Sequence, residues 1–360
     1  MTPASPPPGP GDPPRGAPAG SELAADRART AVFDGHCHVA SDRFVPRPFI
    51  DAMIGNITAR LAASGVDGHA HRLLDVYLSR LQDHTADRLI ADMDRAAVQQ
   101  VLLLVPDFSF VFPGGLTIAE MIDEHAKIIA RHRARVHVLC GVDPRWGADG
   151  LALFERAVGE LGFSGLKVYP PCGFSPSDRT LYPYYEICRQ RGLPVLVHTG
   201  PTSPALTFTT AHPGEIDRVA FDFPEVSFIL GHGGVNHVQA AVEMCAYRPN
   251  VYLDFSGFPA IIEPGGPGAG LRRLFDLGIN HKIIFGTDWP VFGMATTYPQ
   301  LVRMIVAEDG PLAAVSEAQR RWLLGDNVRR LIPPALSGAV REPGPAGRQA
   351  ARSAAGERSP

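Results

Sequence analysis

The chain reads as an α/β protein, a TIM-type (β/α)8 barrel with a helical insertion after its first strand and disordered tails at both ends. Eight short apolar runs predict this: Val32–Val39, Val101–Val105, Val136–Val142, Gly165–Tyr169, Val195–Thr199, Val226–Gly231, Val251–Phe255 and Ile283–Gly286. After the first, their starts are about 25–35 residues apart, the length of a βα unit, and runs apolar on both faces suit a buried parallel sheet. The segments between them carry helical periodicity. Eight such alternations point to a barrel, with an open doubly wound sheet as the competing architecture.

Residues 1–30 are rich in Pro, Gly and Ala with almost nothing to bury, so they are expected to be a disordered tail. The barrel domain spans 31–336. Its first run ends in His36-Cys37-His38. On a strand the side chains alternate, so the two imidazoles share a face and Cys37 takes the other. Two imidazoles on a stiff support suit Zn²⁺ or a similar ion. A second pair, His69 and His71, leads into the helical pattern of Leu73, Leu74, Tyr77, Leu78 and Leu81 and reads as a solvated surface feature. The insertion, about residues 41–98, has helical runs at Ile50–Ala63, Leu73–Leu81 and Ala86–Val98. It either covers the mouth of the barrel, where such folds carry substrate-specific additions, or packs peripherally.

Further on, Ile118, Met121, Ile122, His125, Ile128 and Ile129 fall on one helical face, as do Val235, Val238, Val242 and Cys245. Pro299–Glu308 and Ser316–Ile332 read as closing helices, with Ser316 and Gln319 as a capping box. Residues 337–360 return to a tail composition and are expected to be disordered. A net charge of -3 without a basic block gives no sign of nucleic-acid binding. No apolar run reaches the ~18 residues of a membrane span. Five Cys without CxxC spacing argue for a reducing, cytoplasmic setting.

The chemistry gathers at the ends of the runs. The fourth carries Lys167, the fifth ends in His198, the sixth runs into His232-Gly233-Gly234, and the eighth into Gly286-Thr287-Asp288. Barrel enzymes place their reacting groups at the carboxyl ends of strands. Polar groups converging there from five strands would be costly without a shared purpose, and a bound cation is the simplest one.

With Asp34-Gly35-His36-Cys37-His38, His198, His232-Gly233-Gly234 and Gly286-Thr287-Asp288-Trp289-Pro290 together, the sequence resembles the amidohydrolase superfamily, in its amidohydrolase 2 branch. That branch holds metal-dependent hydrolases and aminocarboxymuconate-semialdehyde decarboxylase-like enzymes. Asp92–Val98 and Gly165–Pro170 share the likeness, which covers roughly residues 31–332. The resemblance implies one divalent ion, with Zn²⁺ expected, bound by His36, His38, His198 and Asp288. It places His232 within hydrogen-bond reach of the metal-bound water or the substrate's developing oxyanion. Neutral imidazoles leave such an ion a strong Lewis acid that activates water. Asp288 then serves as proton acceptor and His232 as hydrogen-bond donor, both catalytic.

Lys167, Tyr169 and Arg145 are the candidate substrate contacts. In some branches of the superfamily a carboxylated lysine on the fourth strand bridges two metals, but Lys167 is read here as a partner for a substrate carboxylate or an acidic neighbour. Cys172 and Phe174 would help shape the pocket. Asp254 and Ser256 end the seventh run without an assigned role, and His212, His237 and His281 read as solvated. No nucleophile elbow and no GxGxxG after a strand is present. The expected function is therefore metal-dependent hydrolysis of a C–N or C–O bond in a small, carboxylated substrate. The alternative is a metal-dependent decarboxylase of an aromatic or enoic acid, which would need an Arg near the metal, with Arg145 and Arg43 the only hints. A non-catalytic barrel would leave the strand-end groups idle. The expected partners are the substrate and a second copy of the chain in a homodimer.

Overall fold

Period-two alternation sorts each apolar run into a residue facing the barrel axis and one facing the helices, and this sorting builds the fold. The computed structural model describes residues 31–66, 69–261 and 264–333; the expected tails, 1–30 and 337–360, lie outside the described residues. Eight strands form one sheet in sequence order, each parallel to the next. They are β1 (Val32–Cys37), β2 (Val98–Val105), β3 (Val136–Gly141), β4 (Gly165–Val168), β5 (Val195–His198), β6 (Phe228–Gly231), β7 (Val251–Asp254) and β8 (Ile283–Ile284).

The strand β8 has only two residues, and the seam to β1 closes through irregular backbone. Gly35 N donates to Phe285 O at 2.8 Å, His38 N to Trp289 O at 2.7 Å, and Asp288 N to His36 O at 2.8 Å. Buried Asp34 adds side-chain bonds across the same seam, accepting from Thr287 N, Thr287 Oγ1 and Tyr298 OH. These bonds close the sheet and exclude the open doubly wound alternative.

Phe33, Leu102, Leu104, Leu139, Leu196, Ile229 and Ile284 pack together as a small separate core. Their strand neighbours, such as Val101, Leu103, Val195 and Val197, pack instead into the large core shared with the surrounding helices. The residue two beyond Leu196 on the same face is His198, so the apolar plug ends where the ligand-type residues begin.

Helices α1 (Arg47–Ala63), α2 (Ala70–Arg80) and α3 (Asp87–Arg95) lie between β1 and β2 as the insertion. Ile50 and Ile54 of α1 share a small core with Tyr77 of α2 and with Leu81. The outer helices follow as α4 (Ile118–Arg131), α5 (Gly147–Gly159), α6 (Tyr182–Arg191), α7 (Asp217–Asp222), α8 (Val238–Tyr247), α9 (Gly266–Asp276), α10 (Tyr298–Val306), α11 (Glu317–Arg321) and α12 (Asn327–Leu331). The Ser316–Gln319 capping box opens α11, and Thr117 with Glu120 forms another on α4. A π-helical stretch joins α11 to α12, and its Leu323 carbonyl accepts from Phe285 N just past β8. None of the described helices is long and apolar enough to cross a membrane.

Candidate metal centre

Strand β1 supplies the first two nitrogens, and each imidazole is fixed from behind. His36 Nδ1 lies 2.7 Å from Asp254 Oδ2 at the end of β7, and His38 Nδ1 lies 2.9 Å from Leu104 O on β2. Both acceptors demand a proton on Nδ1, so each Nε2 is left as a bare lone pair. Both lone pairs face one oxygen: Asp288 Oδ1 is 3.5 Å from His36 Nε2 and 3.5 Å from His38 Nε2. These three residues offer ligand atoms within 4.8 Å of one another, and so do His36, His232 and Asp254. His198 belongs to neither trio. Its ring packs 4.8 Å from that of His232, and its Nε2 is buried without a partner.

The chain's backbone is bent to make this arrangement. His232 and Asp288 adopt positive φ, 63° and 55°, a conformation that costs a non-glycine residue about 1–3 kcal/mol and gathers at functional sites. A Cβ on Gly286 would sit 2.6 Å from His36 Cβ, so only glycine lets the chain just past β8 approach β1 there.

Electrostatics match the geometry. Burial lowers His36 to about 4, against the pull of Asp254, and holds His198 well below its ordinary value; both are neutral, the form that binds metal. Burial would raise Asp288, but His232, the contact with His38, and His36 together hold it below the usual carboxylate range. Asp254 behaves likewise, burial being outweighed by His36, His232 and Ser256. Two buried nitrogens without partners, His36 Nε2 and His198 Nε2, beside an ionised carboxylate fit a divalent cation.

The model of the amidohydrolase family matches residues 33–333. The chain belongs to that family. A 2-keto-4-carboxy-3-hexenedioate hydratase from Sphingobium is 27% identical over 221 residues, a match spanning 51% of this chain and 61% of that protein. Among solved structures, 5-carboxyvanillate decarboxylase from Sphingomonas paucimobilis superposes with a TM-score of 0.55 at 18% identity, covering 84% of this chain and 99% of that one. A dihydroxybenzoic acid decarboxylase from Polaromonas, with bound manganese, gives a TM-score of 0.54 at 18% identity, covering 84% and 96%. These two likenesses carry the fold alone. Together with the family match, the site makes the chain an enzyme of the amidohydrolase superfamily.

The centre opens into a cavity of about 880 Å³, whose wall includes His38, His198, His232 and Asp288. The three sequence-derived substrate contacts fare differently. Tyr169 is on that wall, its ring 4.6 Å from His198, but its hydroxyl is already bonded to Thr202. Lys167 is 1% exposed and off the wall, inside the barrel, with Nζ unpartnered. Burial lowers it to about 8, opposed by Asp254 and Asp288. Arg145 is held away from that wall. Its guanidinium bonds Asp143 at 2.8 and 2.6 Å and the Cys172 carbonyl at 2.8 Å, with the Phe110 ring centre 4.1 Å away. It ties loops together and does not face the cavity.

Sequence reasoning missed Asp254 and Ser256. Asp254 orients His36 and also accepts from His232 N at 2.8 Å, while Ser256 Oγ lies 2.8 Å from His232 Nδ1. A carboxylate at a strand end was the available signal. Its partner was not visible, because the contact exists only once β7 and β1 meet across the barrel.

Proposed function

We propose that this enzyme is a hydrolase that uses one divalent ion, Zn²⁺ by the chemistry of its donors, to cleave a C–N or C–O bond with water. The observation carrying this reading is the pair of back-fixed imidazoles whose free nitrogens converge on the ionised Asp288 carboxylate. The ion would be held by His36, His38, His198 and Asp288, and when bound it supplies the Lewis acidity that brings water's pKa toward ~7.

The chain's own groups do the rest. Asp288 is a carboxylate at neutral pH, so it can take the proton of the attacking water and return it to the leaving group. The Ser256 hydroxyl gives its one proton to Asp254 Oδ1, so its oxygen accepts from His232 Nδ1–H and fixes that ring on the cavity wall. A Cβ on Gly257 would sit 3.4 Å from His232 Nδ1, whereas one on Gly233 or Gly234 would press on Leu230, Leu253 and Phe255, so those two glycines let the turn pack against the core.

Decarboxylation is the second reading, and it needs a cation that seats a carboxylate beside the centre. Among the described residues, the only Arg or Lys on the cavity wall is Arg60, exposed in the last turn of α1. Arg145 is engaged elsewhere, and Arg43 lines a neighbouring groove with Glu124 3.9 Å away. The test is a panel of esters, lactones, amides and carboxylated aromatics offered to zinc-loaded protein. Hydrolytic product is expected; CO₂ release without it would replace this reading with the second. Asp288→Asn and His198→Ala should each cost roughly 10²-fold or more in turnover, the scale of losing a group that acts on the transition state, with the circular dichroism spectrum retained. Elemental analysis should find one ion per chain, and two would restore a bridging role for Lys167.

A further inference from the structure

The sequence suggested a carboxylated substrate, and the cavity wall argues against it. Phe44, Phe49, Met53, Leu73, Phe108 and Phe292 are typical of that wall, and the insertion helices α1 and α2 contribute much of it. At about 880 Å³ it is large enough for a drug-sized molecule. A carboxylate placed against the apolar part of that wall, away from the ion and from exposed Arg60, the one Arg or Lys among the described wall residues, loses its hydration at a cost of several kcal/mol. Lys167 cannot compensate, since it lies off the wall and inside the barrel.

Two buried polar side chains on the same wall make no use of their reaching atoms. His125 on α4 is 2% exposed; its Nδ1 lies 2.8 Å from Met121 O and so carries the proton, which leaves Nε2 as an acceptor. Its helical spacing with Ile118, Met121 and Ile122 makes it look like a core residue in sequence. Yet it lines the cavity, within electrostatic reach of His38. Tyr77 on α2 is 4% exposed, lines the cavity within electrostatic reach of Asp288, and its hydroxyl makes no hydrogen bond among the described residues. Buried polar groups are ordinarily bonded, so a free acceptor and a free donor facing one cavity call for a ligand that bonds them.

We propose that the site takes an uncharged, bulky, mainly apolar acyl compound carrying a hydroxyl or N–H group, with His125 accepting from that group and Tyr77 donating to an oxygen of the ligand. This rests on the hydrolase reading for the reaction, but the binding claim stands on the cavity. His125 and Tyr77 are positioning residues for the substrate body, and the insertion is thereby the specificity element.

Displacement of the uncharged dye Nile red from the full chain tests this, with three ketones of one shape: benzophenone, 4-hydroxybenzophenone and 4-benzoylbenzoate. The series is measured on the metal-loaded chain and again after chelator, so that capture of the carboxylate by the ion is read directly. The hydroxyl compound should bind about tenfold more tightly than benzophenone, the worth of one or two buried hydrogen bonds, and the carboxylate at least tenfold more weakly than the hydroxyl compound. His125→Phe should erase the hydroxyl preference, and Tyr77→Phe should weaken all the ketones severalfold, while Nile red still binds both. Leu73→Trp, which adds bulk to the cavity wall one turn before Tyr77 on α2, should expel the dye. Carboxylate binding equal to or tighter than that of the hydroxyl compound, or ketone affinities unchanged in both polar variants, overturns the proposal. Asp288→Asn and the unsubstituted chain separate the two readings: turnover in the unsubstituted chain that Asp288→Asn loses with the ketone order intact supports both, while an intact order in an unsubstituted chain that hydrolyses nothing removes the reaction and keeps the ligand class.

Discussion

Asp254 makes no direct approach to substrate, yet it sets the state of the groups that do. It holds the His36 proton on Nδ1 at 2.7 Å, receives His232 N at 2.8 Å, and closes on Ser256. Removing its charge while keeping its shape frees His36 to change tautomer, and the ring then presents an N–H to the ion instead of a lone pair. Carboxylates behind metal-binding imidazoles typically carry 10–100-fold in metal affinity. Asp254→Asn is therefore expected to weaken Zn²⁺ binding by about that factor, as a competition titration with a chromophoric chelator would measure. A purely structural role predicts a lower unfolding midpoint with unchanged affinity, and a nitrogen-15 spectrum of the His36 ring would show which proton moved.

At the scale of elements, β8 is the weak strand that carries a strong demand. Two residues of ladder must place Asp288, and the rest of its anchoring comes from the C-terminal helices. Asn327 at the start of α12 is fully buried and donates to Asn280 O at 2.9 Å and Ile283 O at 2.7 Å. Asn327→Ala takes this donor from the Ile283 carbonyl and one of two from the Asn280 carbonyl, which keeps Ile283 N, so urea unfolding should show a loss of roughly 1–3 kcal/mol. The seven longer runs were legible in sequence because a strand buried on both faces has no polar way to be written. The closure at β8 was legible only as a short apolar run, since what completes it is supplied by Asn327 and Leu323 some forty residues later. The same logic divides the site. His36, His38, His198, His232 and Asp288 stand at run ends, where position along the chain reports position on the rim. Asp254, Tyr77 and His125 act through partners or cavities that exist only after folding, and Arg145 looked free because Asp143, Phe110 and the Cys172 carbonyl claim it from three different loops.

For the whole molecule, the imidazoles buried to make the site also tie its stability to pH. Burial lowers His36 and His125 from the ordinary 6.5 to about 4, and His198 falls well below it. All three are neutral in the folded chain between pH 6.5 and 4, while in the unfolded chain they take up protons across that window. The unfolded state then binds more protons, so stability falls as pH falls from 6.5 toward 4. Asp34 works the other way: burial raises its carboxyl from 3.8 to about 6, so its contribution is complete below 3.8 and is lost as pH rises through 6. One carboxyl opposes three imidazoles, and the net slope follows the imidazoles. The urea midpoint of chelator-treated protein should be lower at pH 4.5 than at pH 7. His125→Phe removes one titrating ring and should flatten this slope whatever it does to the midpoint itself. Adding Zn²⁺ should steepen it, because the ion binds only the neutral rings of the folded chain and adds stability chiefly at the neutral end. A midpoint that rises on acidification would overturn the assignment of buried, neutral imidazoles to the folded chain.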